Sequence, residues 1–241
     1  MESDTIYAAS TELTKELGMN ASNVFTTEDI TEVALMTKQI GLAGKEANAL
    51  AMQSKINGMS VEDNNNAIFD GVNAMNKQNS SAINGKKVLA DVANVSEDIE
   101  VNYAGYPGEL AAAATAAAGL GMNLSQVDRI ASSLLDFQSS IEAELEAEVL
   151  TGKELNLEQA RFLALQGKTD QAAAEVLKQV GSLAEFQSMN VIQQQALASA
   201  AGLTADQLAD QLVKQSAINS QKQDGLDIDG EQQKEAASAL S

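Results

Sequence analysis

Only one proline, Pro107, interrupts the 241 residues, and no stretch alternates between apolar and polar residues with a period of two. Alanine, leucine, glutamate, glutamine and lysine, which all favour helices, are plentiful. Apolar residues recur three or four positions apart, as they do on one face of a helix. The chain is therefore predicted to be all-α, a series of amphipathic helices and helix hairpins with no β-sheet.

Large side chains are scarce, since aromatic residues make up 3% of the chain and tryptophan is absent, whereas hydrophobic residues make up 44%. Aromatic side chains normally supply much of the buried area of a core or a pocket. A chain dominated by Ala, Leu, Ile, Val and Met builds thin seams between helices instead. We therefore expect an elongated molecule that buries apolar surface against copies of itself or against an enclosing wall.

Cysteine and histidine are both absent, and the formal net charge at pH 7 is −19. Thiolate and imidazole catalysis, disulfides and the commonest zinc ligands are therefore excluded. The longest basic cluster is Lys86-Lys87. Because phosphates are bound through a basic stripe, no sequence-specific binding to nucleic acid is expected.

The N-terminal segment MESDTIYAAS has acidic residues where a signal peptide has basic ones, and no apolar core segment follows it. The most apolar run, Leu110 to Leu120, has about half the length of a membrane-spanning helix. Neither a signal peptide nor a stable membrane span is expected.

The clearest interruption is the segment Asn102 to Gly108, which contains the proline and two of the three tyrosines. Residues 1–106 are polar and rich in asparagine, whereas residues 107–213 are rich in alanine and leucine. The composition then becomes polar again. We therefore predict a polar helical segment at 1–106, a helical domain at 107–213 and a flexible tail at 214–241.

Glycines and cap residues divide the chain into helices. In the first half, the predicted helices are Thr11 to Leu17, Thr26 or Thr27 to about Asn57, one that starts at Ser60, and Lys86 to Asn94. In the second half, they are Glu109 to Ala118, Ser125 to Leu150, and helices that start at Asn156, Thr169, Ser182 and Thr204.

Two of these helices have predicted apolar faces. The helix from Ser125 to Leu150 has one stripe, made of Val127, Ile130, Leu134, Ile141 and Leu145. The helix from Asn156 has a face made of Phe162, Leu163 and Leu165. The pairs Ser182 with Glu185 and Thr204 with Gln207 match the capping box, which marks a helix start.

The phrase Leu-Gly-Met-Asn occurs at 17–20 and at 120–123, each time between a helix end and a helix start, and a related stretch, AAGLTADQ, lies at 200–207. One interpretation is a repeated helix hairpin that stacks into an array. The other is that short connections between helices converge on the same glycine and cap chemistry. The irregular spacing of the three stretches favours the second interpretation.

Two segments contain some of the residues of a binding loop. In the stretch 224–230, alignment of Gly230 with the sixth position of a calcium loop puts Gly225 and Ala236 where acidic ligands belong. The segment Gly41 to Lys45 is too short for a phosphate loop, and Glu46 follows the lysine where a hydroxyl is needed. We predict neither a calcium site nor a phosphate site.

Two further groups of residues were candidates for chemistry. The glutamates Glu142, Glu144, Glu146 and Glu148 point to different sides of a helix, so they are expected to form a solvated face and not a glycan-cleaving pair. Tyr103 and Tyr106 are expected to pack in a turn. No catalytic, cofactor-binding or metal-binding residue is therefore predicted, and the chain is expected to be neither an enzyme nor a cofactor-binding protein.

Three phrases resemble segments of phage tail tape measure proteins. They are INGKKVLADVANVS at 83–96, GLGMNLSQVDRIASSLLDFQSSIEAELEAEVLTGKELNLEQARFLALQG at 119–167, and GSLAEFQSMNVIQQQALASAAGLTADQLADQL at 181–212. The stretch that contains them, from about Ala82 to Val213, is more than half of the chain. The N-terminal third departs more from the family.

The resemblance implies a structural virion protein that sets tail length during assembly, occupies the lumen of the tail tube and leaves it ahead of the DNA at infection. It also implies synthesis in the bacterial host cytoplasm, followed by coiled-coil association of a few parallel copies, often three. The implied partners are the tail tube and the hub proteins of the baseplate. No catalytic residue is defined in the matching phrases.

Two other classes of function are the alternatives to a tape measure protein. A helical interaction module, such as a scaffold, an adaptor or a component of an injection system, predicts a compact monomer. An enzyme would need a site built only from Asp, Glu, Lys, Ser or Tyr, and no grouping of these residues provides one.

One helix made of the whole chain would reach roughly 360 Å, which is short for a protein that measures a long tail. We therefore expect a short tail, or a longer polypeptide of which these residues are a part.

Overall fold

The computed structural model describes residues 3–79 and 81–224, and within them the chain folds into helices without any strand. This confirms the all-α prediction. The helices are α1 (Ser3–Leu17), α2 (Thr27–Leu35), α3 (Gly44–Ile56), α4 (Val61–Asn79), α5 (Gly85–Ala93), α6 (Glu97–Asn102), α7 (Pro107–Gly119), α8 (Leu124–Leu135), α9 (Phe137–Thr151), α10 (Glu158–Leu165), α11 (Thr169–Val180), α12 (Leu183–Ser188), α13 (Val191–Ala200) and α14 (Ala205–Asp224).

These helices form two compact units, of which the first extends to Thr115 and the second begins at Ala116. The division falls inside α7, whereas the sequence suggested a boundary between residues 106 and 107. Pro107 is the first residue of α7, a position where the N–H that proline lacks has no partner within the helix anyway. The proline therefore starts a helix at the point where we expected the boundary between the two segments.

Two helices of the first unit differ from the predicted ones. The first, α1, begins at Ser3 and not at Thr11, with Asp4 in its first turn, where the helix dipole favours an acid. The predicted helix that ends near Asn57 is two helices, α2 and α3. A π-helical turn follows α2 and ends at Gly41, whose φ of 76° is left-handed and stops the helix.

Amide side chains lie in the core of the first unit. Asn48, Gln53, Asn64 and Asn65 are each at most 3% exposed. Each has one side-chain oxygen or nitrogen without a hydrogen-bond partner among the described residues. A buried polar atom without a partner loses its hydration and gains nothing in return. The core of the first unit therefore contains several groups that weaken it.

The second unit also breaks helices that the sequence suggested were continuous. Asn123, not Ser125, caps α8, since its side chain accepts a hydrogen bond from the Gln126 N–H at 2.8 Å. Asp136 then ends α8 and caps α9, accepting a hydrogen bond from the Ser139 hydroxyl at 2.7 Å. In the same way, Asn190 separates α12 from α13.

The last described helix, α14, continues to Asp224, although a flexible tail was predicted from residue 214. Its glutamines, alanine and lysines favour a helix even where apolar residues are few. Residues 225–241, and with them most of the calcium-like stretch, lie outside the described residues. None of the helices in the described part has the length and the apolar content that crossing a membrane requires.

The core of the second unit is built from small and medium-sized side chains. Its larger members include Val127, Ile130, Leu134, Leu157, Val176, Phe186, Leu197 and Leu208, and eleven alanines lie among them. Alanines let neighbouring helices approach closely, so a core with a single phenylalanine still excludes water.

Candidate interaction surface

An ion pair is buried between α9 and α10. Glu144 on α9 and Arg161 on α10 are only 8% and 7% exposed. Arg161 bonds the Glu144 carboxylate through Nη2 and donates to the Ser140 hydroxyl from Nη1 at 3.1 Å. The other Glu144 oxygen accepts a hydrogen bond from the Leu157 N–H at 2.8 Å. Leu157, just before α10, bonds Glu144, whereas Arg161, further along α10, bonds Ser140, which lies nearer the start of α9. The two helices therefore run antiparallel.

The four glutamates of α9 lie in three different environments. Glu144 is buried in the ion pair, and Glu148 accepts a hydrogen bond from the Leu155 N–H at 2.8 Å. Glu142 and Glu146 are exposed. The expectation that all four form a solvated face is therefore wrong, because two of them hold the segment that leads into α10.

The large aliphatic side chains of α9 point away from the core. Ile141, Leu145 and Val149 are 44%, 55% and 83% exposed, whereas Ser140 and Ala147 are buried. A spacing of four places the three on one face of the helix, and we call them the α9 stripe. The predicted stripe is thus divided at Asp136: its members on α8 are buried, and its members on α9 are not. These members are Val127, Ile130 and Leu134 on α8, and Ile141 and Leu145 on α9.

The same reversal occurs on α10. Phe162 and Leu165 are each more than half exposed, whereas Arg161 and Ala164 are buried. Of the predicted apolar face, only Leu163 packs against the core, and it does so partly. Because Arg161 takes the inner position opposite Glu144, the aromatic ring beside it in sequence must turn outward. The prediction of an inward-facing Phe162 and Leu165 is therefore wrong.

A third helix, α13, lies along α9. Its C-terminal half supplies the buried residues Leu197 and Ala200, and the side chain of Gln193 donates to the Leu150 carbonyl at 2.9 Å. At the start of α13, Val191 and Ile192 are exposed. Apolar side chains are therefore left exposed on α9, α10 and α13, of which α9 and α13 pack against each other.

A shallow depression of about 460 Å³ lies beyond the end of α9, lined by Thr151, Lys153, Glu185, Ser188, Met189 and Gln193. The Lys153 ammonium donates to the Val180 carbonyl at 3.0 Å and pairs with Glu185 at 3.3 Å. The Ser182 backbone N–H and Lys153 lower the pKa of the Glu185 carboxyl. Since its charged groups bind each other, the depression offers little to a charged ligand.

In the first unit, Asp29 joins α2 to α3 and α4. It is 4% exposed, and its carboxylate accepts hydrogen bonds from Lys55 at 2.8 Å, the Val61 N–H at 2.9 Å and the Thr26 N–H at 3.1 Å. Burial raises the pKa of Asp29, but these hydrogen bonds outweigh it and hold the pKa below its ordinary value. The Lys55 ammonium also lies 5.1 Å from the centre of the Phe25 ring. The cluster holds α2, α3 and α4 together.

The segment from Gly41 to Lys45, which does not match a phosphate loop, leads into the start of α3. The Glu46 carboxylate accepts a hydrogen bond from the Ala43 N–H at 2.9 Å, so it occupies the helix start where a phosphate would bind.

Tyr103 and Tyr106 form a turn, in which the Tyr106 N–H donates a hydrogen bond to the Tyr103 carbonyl at 2.8 Å. The Tyr106 ring is exposed and not packed as expected. In the described part of the chain, no group of three or more acidic residues is placed to hold a metal ion.

The two Leu-Gly-Met-Asn phrases have the same backbone at their glycines. Gly18 and Gly121 have φ values of 67° and 79°, and the asparagine two residues later accepts a hydrogen bond from a backbone N–H that follows it. After Asn20 the chain forms a single 3-10 turn, whereas after Asn123 it forms α8. Both interpretations of the repeated phrase are compatible with this geometry.

Sequence reasoning missed both the Glu144–Arg161 pair and the outward direction of the α9 stripe. One signal was present. In the α10 sequence, Ala160, Arg161 and Ala164 recur at helical spacing, so the arginine shares a face with two alanines. A lone charge on a face of small residues is a sign that this face packs against a counter-ion.

No protein-family model, no curated protein and no solved structure matches this chain. The likeness to tape measure proteins therefore rests on the three phrases quoted above. The geometry that a function has to use is the exposed apolar surface of α9, α10 and α13.

Proposed function

We propose that this chain is a structural protein of a phage tail, a tape measure protein that occupies the tail tube and sets tail length. The observation that supports this most is the set of large apolar side chains exposed on neighbouring helices: Ile141, Leu145, Val149, Phe162, Leu165, Val191 and Ile192. Clustered exposed apolar residues are typical of surfaces that contact other proteins. The three phrases suggest that the assembly is a phage tail.

Several properties of the chain suit passage through a narrow tube. It has no cysteine and thus no disulfide to break, and its net charge of −19 repels DNA in the same conduit. In this proposal, the protein is made in the bacterial cytoplasm, is packed in the tube lumen of the virion, and leaves ahead of the DNA.

The proposal includes association of copies, as a trimer, with the tail tube and the baseplate hub as further partners. The exposed residues of α10 and α13 provide the surface that copies bury. We expect light scattering to give about three times the 25.2 kDa mass of one chain, and small-angle X-ray scattering to show an elongated particle. Phe162→Asp should lower the measured mass, whereas Tyr106→Asp, at an exposed site of the first unit, should not.

Tail length tests the proposal directly. In the phage that encodes the chain, an in-frame deletion within the chain should shorten the tail by up to about 1.5 Å for each residue removed, as measured by electron microscopy. Tails of unchanged length would contradict the tape measure role, even if the protein associates in solution.

One observation favours a different role, that of a helical interaction module. The helices form two compact units, each with buried side chains of its own, and such units can work as monomers. A compact monomer at every concentration, with unchanged mass in the Phe162→Asp variant, would support the interaction module over the tape measure.

A further inference from the structure

The rim of the α9 stripe has charge of one sign. The sequence of α9, FQSSIEAELEAEVLT, contains four glutamates and neither lysine nor arginine. Glu144 and Glu148 are used inside the second unit, which leaves Glu142 and Glu146 exposed. At about 100° of rotation per residue, these two form a row next to Ile141, Leu145 and Val149. Neither forms an ion pair with any described residue.

We propose that the α9 stripe binds an amphipathic helix of a different protein, one whose apolar residues are flanked by lysine or arginine. The stripe spans two helical turns, with apolar side chains four residues apart, which matches the ridge spacing that helices use to pack on each other. The acidic row beside it pairs with basic flanking residues. The partner follows from the charge of α9 and is the same whether or not the chain works in a phage tail.

A second copy of α9 is a poorer occupant. When two α9 helices pack through their stripes, no orientation brings a positive charge to Glu142 or Glu146, because α9 has none. A surface of anionic lipid is disfavoured for the same reason. A basic amphipathic helix supplies that charge and buries the apolar side chains at the same time.

The test uses three synthetic helical peptides of about 21 residues, which is three heptads. The first has leucine at a and d and lysine at e and g, the second has glutamate at e and g, and the third is a scrambled sequence of the first. Binding of each labelled peptide to the full chain is measured by fluorescence anisotropy at two salt concentrations. The lysine-flanked peptide should bind at least about tenfold more tightly than the other two, and added salt should weaken it.

Variants of the chain locate the binding site. Leu145→Asp should weaken binding of the lysine-flanked peptide at least about tenfold, since it places a charge where a leucine knob packs. Val213→Asp on α14 is the matched control, because Val213 is 50% exposed and Leu145 is 55% exposed, and it should bind normally. The double variant Glu142→Lys/Glu146→Lys should reverse the preference and bind the glutamate-flanked peptide. Circular dichroism checks that each variant remains folded.

Three results would overturn the proposal. The first is equal binding of the lysine-flanked and scrambled peptides, which would mean attraction by net charge alone. The second is an equal loss of binding in Leu145→Asp and Val213→Asp. The third is a lower solution mass of the folded Leu145→Asp variant, which would make a second copy the occupant. The mass of the Phe162→Asp variant reports separately on the trimer.

Discussion

Among single residues, two buried carboxylates show how this chain uses charge inside its units. Asp29 and Glu144 are both nearly inaccessible, and each accepts hydrogen bonds from a cation and from the backbone. Such pairs contribute little net stability when complete, but removing one partner leaves a buried charge alone. Their main effect is to fix which helices meet, α2 with α3 and α4 in one unit, and α9 with α10 in the other.

The first prediction concerns Arg161. Arg161→Met should lower the free energy of unfolding of the second unit by about 3–5 kcal/mol, because Glu144 is left buried without its cation. The matched control is Lys178→Met, which removes an exposed pair with Glu175 and should cost less than about 1 kcal/mol. Both are measured by urea unfolding followed by circular dichroism. Equal losses in the two variants would show that the Arg161 pair is not buried.

The second prediction concerns Glu32, whose pKa is raised above its ordinary 4.5 by burial and by the nearby Glu62, against a hydrogen bond from Asn65. A raised pKa means that the fold prefers the protonated form, so stability falls as the pH rises through 4.5 to the folded value. Glu32→Gln should therefore be more stable than the wild type at pH 7 and nearly equal to it below pH 4.5. Thermal unfolding at both pH values measures this, and a destabilised variant at pH 7 would contradict it.

Caps were the best-predicted residues. Thr26, Ser182 and Thr204 each accept the expected hydrogen bond from a backbone N–H three residues later. Caps can be read from a sequence because both partners lie within four residues. The partners of Arg161 lie 17 and 21 residues away, in a different helix, so no local pattern identifies them.

Among helices, the sequence determined where most of them end but not which face each one buries. Gly152 and Gly181 end α9 and α11, which is the role expected of glycines between the helices. Periodicity shows that Ile141 and Leu145 share a face, but it does not show whether that face packs inward. In α9 the choice depends on Arg161, which lies inside and holds the opposite face against the core. The breaks at Asp136 and Asn190 were missed because apolar residues continue on both sides of these caps.

The third prediction concerns the crossing of α4 and α7. A Cβ added at Gly71 would overlap the carbonyl oxygen of Gly108, so Gly71→Ala should destabilise the first unit by about 1–3 kcal/mol through overpacking. Gly119→Ala is the control on α7, since nothing lies within 4 Å of its added Cβ, and better helix propensity should stabilise it by up to about 1 kcal/mol. Urea unfolding distinguishes the two. A neutral Gly71→Ala would mean that α4 and α7 do not meet at these glycines.

For the molecule as a whole, composition predicted the helical class, whereas the division into units was not where the proline suggested. A proline ends a helix in most positions but begins one at its first residue, and Pro107 takes the second role. The two units also differ inside. The first buries four amide side chains that each have a polar atom without a hydrogen-bond partner, whereas the second has two such side chains, Gln211 and Gln215, beside a core of alanine and aliphatic residues.

The fourth prediction follows from this difference. Hydrogen exchange at increasing urea concentration should show α3 and α4 exchanging at lower urea than α8 and α11, because buried amides without partners weaken the first unit. Mass spectrometry of peptides from each helix measures it. Replacement of Asn64 by leucine should raise the urea concentration needed for α3 and α4 and leave α8 unchanged. Simultaneous exchange of all four helices would show that the units unfold together.

Heating acts unevenly on such a molecule. The hydration of charged groups becomes less favourable as temperature rises, so burying the Glu144–Arg161 pair costs less in a warm solution than in a cold one. The amides of the first unit have no such compensation, because their free atoms still lack partners. Warming should therefore melt the first unit while α9 and α10 stay joined, and the apolar stripe of α9 remains available to a partner at temperatures where half of the chain has unfolded.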